Sequence, residues 1–261
     1  MTFLDIPASP QDGAAAGCNL VGSGQGSNLG ALAALVEGGL SSIVQPDDMG
    51  EIQFILLSQL DGFAEGQTGN QVGEATMNLF IGDQDGSGGF TIDPVSFEGG
   101  DPANAPLISF AGTSVTDATI ETPQQEVSLS LPIVPGIPLT VRLSNARFKS
   151  GLRMEAAGFS AQNGTLSGYF TKAAVLELVT GLLEFCGANP MNSLCGTISS
   201  VIPPGTDPEV AYGILSALIP PDVRLDNGTP MECAAGTCDT IGVCLLVEMD
   251  AQVIAGVTPA P

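Results

Sequence analysis

Asp83-Gln84-Asp85-Gly86-Ser87-Gly88-Gly89 sets oxygen-bearing side chains at alternate positions around a run of glycines. Hard divalent cations take such ligands, and a short loop turns them all inward only where glycine lets the chain bend sharply. The spacing points to calcium. Asp83, Asp85 and Ser87 would give side-chain oxygens, Gly89 a carbonyl and Asp93 a further carboxylate. Incomplete ligation of this kind implies a dissociation constant of roughly 10⁻⁴–10⁻³ M, useful only where calcium is millimolar.

The loop is similar to the start of an EF-hand loop, with Asp83, Asp85 and Ser87 in its first three ligand positions and Gly88 at its turn. It departs at Pro94, which stands where an EF-hand carries its bidentate Glu, and its flanks read as strands. An ordinary acidic hairpin loop explains the same residues. A second cluster is basic: Arg142, Arg147, Lys149 and Arg153 are four of the six Lys and Arg residues. It could receive an anionic partner, or it could pair across strands with acidic neighbours of the same sheet.

The catalytic inventory is thin. The chain has no histidine, which removes the commonest general base and the usual partner of a Ser or Cys nucleophile. No Gly-x-Ser-x-Gly elbow occurs. Paired carboxylates could serve a hydrolase, but the absence of tryptophan removes the usual platform for stacking sugars. Gly22-Ser23-Gly24-Gln25-Gly26 follows no strand and lacks a phosphate-binding lysine, so it reads as flexible chain. Asn163-Gly164-Thr165 and Asn227-Gly228-Thr229 match glycosylation acceptors and equally match turns; Pro230 weakens the second.

Six cysteines, Cys18, Cys186, Cys195, Cys233, Cys238 and Cys244, lack short C-x₂-C spacing and any histidine partner, so zinc explains them poorly. At least two disulfides are expected, with free buried thiols the alternative reading. Cys186 and Cys195 flank the turn between two expected helices and form the first pair to test. An oxidising compartment follows: cell exterior, cell surface or periplasm. Residues 1–17 carry no secretory signal pattern, so a leader removed before Met1 would reconcile the two. Ala15-Ala16-Gly17-Cys18 matches a lipoprotein cleavage box superficially, but Pro10, Gln11 and Asp12 stand where an apolar run belongs.

The formal charge of −22 on 261 residues repels nucleic acid and anionic membrane surfaces. No stretch approaches the ~20 apolar residues of a membrane helix. Hydrophobic residues make up 44% of the chain, so its acidity does not signal disorder. The 34 glycines and 19 prolines punctuate it at intervals typical of short strands and turns.

The elements that must position these groups follow from periodicity. A helix is expected over 27–44, with a weak point at Gly38-Gly39, and a buried strand over 51–60. A meander of strands fills 71–170, with a bulge near Ser144-Asn145 and turns at Lys149-Ser150-Gly151 and Asn163-Gly164. Thr171, Asn189 and Asp207 begin three helices over 171–219, the latter two with proline next in line. Thr240 to Ala255 alternates as one long strand that rejoins the sheet. The expected fold class is α+β: an antiparallel β-sandwich or flattened barrel, with an N-terminal helix and a helical cluster packed on one side. Residues 27–255 form a single domain between flexible tails at 1–26 and 256–261.

This order of elements, with Gly-Thr-Leu-Ser-Gly-Tyr-Phe at 164–170 running into a cysteine-bearing helical region, resembles predicted secreted or surface-attached proteins of complex-lifecycle Gram-negative bacteria. The resemblance covers 28–255, implies an extracytoplasmic setting and carries over no functional residue. Three functions remain open. The first is a non-enzymatic structural, adhesive or assembly module with a weak calcium site, partnered by other surface or envelope proteins or by itself. The second is a carrier of an apolar, lipid-like ligand in a β-lined cavity. The third is a carboxylate-based hydrolase. An apolar cavity favours the carrier, an exposed strand edge the module, and converging carboxylates the hydrolase.

Overall fold

The alternating apolar residues of the meander become strands whose pairing is almost entirely antiparallel. A computed structural model of the protein describes residues 1–18, 20–21, 40–63, 70–134, 137–234 and 236–258. The strands are β1 (Phe3–Asp5), β2 (Ile55–Asp61), β3 (Gln71–Gln84), β4 (Phe90–Ile92), β5 (Ile108–Thr116), β6 (Thr119–Glu121) and β7 (Gln125–Val134). They continue with β8 (Ile137–Glu155), β9 (Gly158–Thr171), β10 (Val223–Asp226), β11 (Thr229–Glu232), β12 (Thr240–Met249) and β13 (Ile254–Val257). The helices are α1 (Pro10–Ala16), α2 (Lys172–Ala188), α3 (Ser193–Val201) and α4 (Pro208–Leu218).

All these strands belong to one mixed sheet in the order β11-β10-β12-β9-β8-β6-β5-β3-β4-β13. β1 joins at β12, β2 at β3 and β7 at β8. Among the described residues, only β13 on β4 is parallel. The fold is therefore α+β and mostly sheet. The long final strand does rejoin the sheet, pairing with β9 from Thr240↔Thr171 to Met249↔Ala161, but it stops at Met249 and resumes as β13.

One large cluster forms the core. Phe110, Phe148, Met77, Ile120, Leu143, Val243 and Val247 are buried in it, together with Leu4 of β1, Leu56 of β2 and Val175 and Val179 of α2. β2 and β3 bury both faces: Leu56 faces the large cluster, while Ile55, Leu57 and Phe80 join Ile92 and Phe97 in a smaller one behind. That two-sided burial explains the unbroken apolar run at 54–57. Gly82 allows the second cluster to close, because a Cβ there would come within 2.7 Å of Ile55.

Helix starts follow the sequence where caps are present. The Thr171 hydroxyl accepts the Ala174 N–H, and the Asp207 carboxylate accepts the Glu209 N–H ahead of Pro208. Asn189-Pro190, expected to begin a helix, forms a turn instead, and α3 starts at Ser193.

Other expectations change. The segment expected as a flexible tail begins with a strand: Phe3, Leu4 and Asp5 pair with Glu248, Val247 and Leu246, and Leu4 is 3% exposed. α1, capped by Ser9, and the Cys18–Cys244 bridge follow it. Three paired residues give no legible periodicity, and the bridge spans 226 positions, so neither anchor was visible locally. At the other end, β13 (Ile254–Val257) reaches into the segment from 256 expected as tail. The helix expected over 27–44 lies largely outside the described residues; Leu40–Ile43 form a single 3-10 turn. The buried strand expected at 51–60 begins at Ile55.

The bulge expected near Ser144-Asn145 is present: pairing with β9 shifts between Ser144 and Arg147, and Asn145 has φ +51°. The two expected turns beyond it are absent, because β8 continues through Lys149-Ser150-Gly151 with only a register shift against β9, and Asn163-Gly164 lies inside β9. Asn163 does adopt φ +50°, but a shift in the β12 pairing takes up the distortion as a bulge. Gly164 is required there, since a Cβ would come within 2.7 Å of the Val247 carbonyl. Asn227-Gly228 is a true hairpin turn, with both residues at positive φ between β10 and β11.

Candidate functional site

The acidic loop joins β3 to β4 and is held by its own hydrogen bonds. One Asp85 oxygen accepts the Ser87 and Gly89 N–H groups, each at 2.8 Å, and these donors hold its carboxyl below the usual carboxylate pKa. Asp83 accepts the Thr258 hydroxyl at 2.9 Å, tying the loop to the end of β13. Asp93 accepts the Val95 N–H and caps a 3-10 turn. Gly89 donates to Asp85 through its N–H, and its carbonyl accepts the Asp85 N–H at 3.1 Å. Asp83, Asp85, Ser87, Gly89 and Asp93 thus stand close in sequence but are committed separately: Asp85, Ser87 and Gly89 to one another, Asp83 to Thr258 and Asp93 to Val95. Asp83 and Asp93 also line a cleft of about 720 Å³ with Glu51 and Thr258.

Three of the four residues of the basic cluster are paired within the chain. β6 lies beside β8 with Glu121 opposite Lys149, and Glu121 pairs with both Lys149, at 3.5 Å, and Arg147. Arg142 lies 3.6 Å from Glu126 and 3.8 Å from Glu177. All these pairs are partly solvated, so each contributes little to stability. They account for three members of the cluster as structural pairing; Arg153 makes no ion pair among the described residues.

A different region combines shape with unused polar groups. An open cleft of about 710 Å³ runs along β2 from Ile55 to Leu60. Met154, Ala157 and Phe159 at the β8–β9 tip form one wall, and Phe90, Ile92 and Ile254 form another. Its acidic members are Glu155 and Asp250, and no Lys or Arg lines it among the described residues.

β2 supplies the cleft with main-chain donors and acceptors. Leu56 stands opposite Ile81, whose own N–H and C=O bond Ser96 and Asp93 on the far side of β3. The Leu56–Ile81 pair is therefore a non-bonded one, and Leu56, Ser58 and Leu60 turn their backbone groups away from β3. The Leu56 carbonyl accepts the Met1 amine at 2.8 Å. Burial lowers that amine's pKa to about 6, with Asp250 opposing the shift. Ser58 and Leu60 have no backbone partner on this side among the described residues.

Periodicity did not single out this cleft. Its lining comes from five separate stretches of chain, and the one local signal was Ser58-Gln59 interrupting an apolar strand. Three disulfides, Cys18–Cys244, Cys186–Cys195 and Cys233–Cys238, use every cysteine and are typical of extracellular proteins. The first joins the N-terminal segment to the middle of β12; the other two close short local loops. No described helix is long and apolar enough to cross a membrane. Among the described residues, no three Asp, Glu, Cys or His side chains gather as a metal-holding group. No protein-family model, curated protein or solved structure matches the chain.

Proposed function

We propose that the protein is a non-enzymatic extracytoplasmic module for structure, adhesion or assembly, with surface or envelope proteins as its partners. The observation that carries this reading is the one-sided edge of β2, which opens into a cleft with both apolar and acidic walls. Unpaired strand edges are sites where another chain can attach, and proteins normally cover or charge them. Ser58 and Leu60 are half-buried and uncharged, and no strand covers their outward backbone groups among the described residues. The disulfides support the extracytoplasmic setting.

The sheet in this reading is a flattened barrel with α2 to α4 packed at one side. Support comes from the large cluster, which draws together strands from β12 through to β2, and from the Met1–Leu56 bond that brings β1 beside β2. Calcium enters as an accessory of low affinity at Asp83, Asp85, Ser87, Gly89 and Asp93.

The carrier reading has its own support, because about 710 Å³ falls within the range of small-molecule sites. Against it, a lipid tail would strip water from the Ser58 and Leu60 backbone groups without replacing the hydrogen bonds. The hydrolase reading needs carboxylates freed for acid–base work, whereas Asp93 caps a turn and Asp83 holds Thr258. Native mass spectrometry of the oxidised protein, purified without detergent from its own host, tests the assignment. The module reading expects the bare chain mass. A stoichiometric apolar small molecule, lost on Leu57→Asp substitution in the cleft wall, would replace it with the carrier.

A further inference from the structure

Resting on the module reading, we infer that the cleft takes one extended, apolar peptide segment bearing a basic side chain, added as a strand to the free edge of β2. The backbone supplies the rungs. Ser58 and Leu60 offer N–H and C=O groups at the two-residue repeat of a β-ladder, and the Met1 amine on the Leu56 carbonyl already makes the adjoining bond. From Leu56 to Leu60 the edge extends about 13 Å, room for a short strand. Apolar pockets beside such an edge read alternate side chains of the incoming segment, as in other strand-addition complexes. Phe159, Met154 and Ile254 line such pockets here.

Charge sets the polarity of the occupant. Glu155 and Asp250 line the cleft without a Lys or Arg among the described lining residues; the Met1 amine beside Asp250 is the one basic group there, its pKa lowered by burial to about 6, and the whole chain carries a formal charge of −22. A basic side chain therefore gains from both the local and the overall field. The same field opposes a second copy of this chain. The occupant is therefore a segment of a different protein, one that carries the opposite charge.

The test uses the full oxidised chain and end-blocked synthetic peptides of about six residues, a common strand length, alternating Val and Lys. Binding is read by fluorescence anisotropy. Two further versions of the peptide are N-methylated, one on the Val amides and one on the Lys amides. A strand turns successive amides in opposite directions, so one methylation pattern is expected to weaken binding at least about tenfold and the other to change it little. Replacing Lys with Glu is expected to weaken binding by at least about tenfold. Ser58→Pro, whose lost N–H faces the cleft and not β3, should remove binding while preserving the thermal midpoint.

Equal binding by both methylated peptides, or no binding by any, overturns strand addition. Equal binding by the Val–Glu peptide overturns the charge requirement. A concentration-dependent dimer in sedimentation that Ser58→Pro abolishes would hand the edge to a second copy. None of these results mimics a copurified apolar ligand in native mass spectrometry, so failure of the peptide proposal stays distinct from failure of the module reading.

Discussion

The β12–β9–β8 side and the β2 edge differ in how completely their backbone is used. β9 is flanked by β12 and β8 along most of its length, and Tyr169 closes over it by accepting the Val21 N–H at 2.9 Å. Cys18 fixes the N-terminal segment to β12 on the same side. β2 has a partner on one side only, with the Met1 amine as the sole backbone bond on the other among the described residues. Stability is concentrated where every strand has two neighbours, and binding capacity where one has not.

The largest effect should come from the long-range bridge. A Cys18→Ser, Cys244→Ser variant should lose roughly 5 kcal/mol in urea unfolding, because its closed loop is the longest. Cys233→Ser, Cys238→Ser should lose only about 2 kcal/mol. Equal losses would show that chain entropy is not what separates the anchored side from the local staples.

Core truncation tests the contrast next. Phe148→Ala, in the large cluster, should cost about 4 kcal/mol. Leu57→Ala, in the smaller cluster behind β2, should cost about 2 kcal/mol, because that cluster can relax into the adjoining cleft. A reversal of this order in denaturant titrations would break the comparison. Ser58→Pro should lie within about 0.5 kcal/mol of the wild type, since its N–H leaves the ladder intact.

Alkaline pH offers a smaller test on the closed side. Burial raises the Tyr169 pKa, outweighing the Val21 N–H that favours the phenolate. The folded state therefore keeps this proton at a pH where the unfolded state has lost it. Stability contributed by the neutral phenol is present below the ordinary value of 10.0 and declines as pH rises from there towards the raised folded value. Melting curves of Tyr169→Phe should lack that part of the decline.

Calcium gives the smallest shift. Millimolar calcium should raise the wild-type melting temperature, and Asp83→Asn with Asp85→Asn should lose the gain. The double variant should still fold, since the amide oxygen of an asparagine can accept the turn's N–H bonds as the Asp85 carboxylate does. An equal rise in both proteins would reduce the loop to a turn in a screened acidic surface.

Local sequence determined what depends on near neighbours. Thr171 and Asp207 cap their helices because a side-chain oxygen reaches an N–H two or three residues away. The Asn227-Gly228 turn, the bulge at Asn145 and the Cys186–Cys195 staple are equally local, as is the alternation that makes the fold mostly sheet. The same local grammar misplaced Asn163-Gly164, where positive φ serves a bulge under the Val247 carbonyl instead of a hairpin. Only tertiary structure decided that Phe3–Asp5 pairs with β12, that Cys18 finds Cys244, and that the β8–β9 tip faces β2. It also decided which side of β2 stays open. Such contacts join residues far apart in the chain, and their free energy depends on which surfaces meet in space, a relation that no window of neighbouring residues contains.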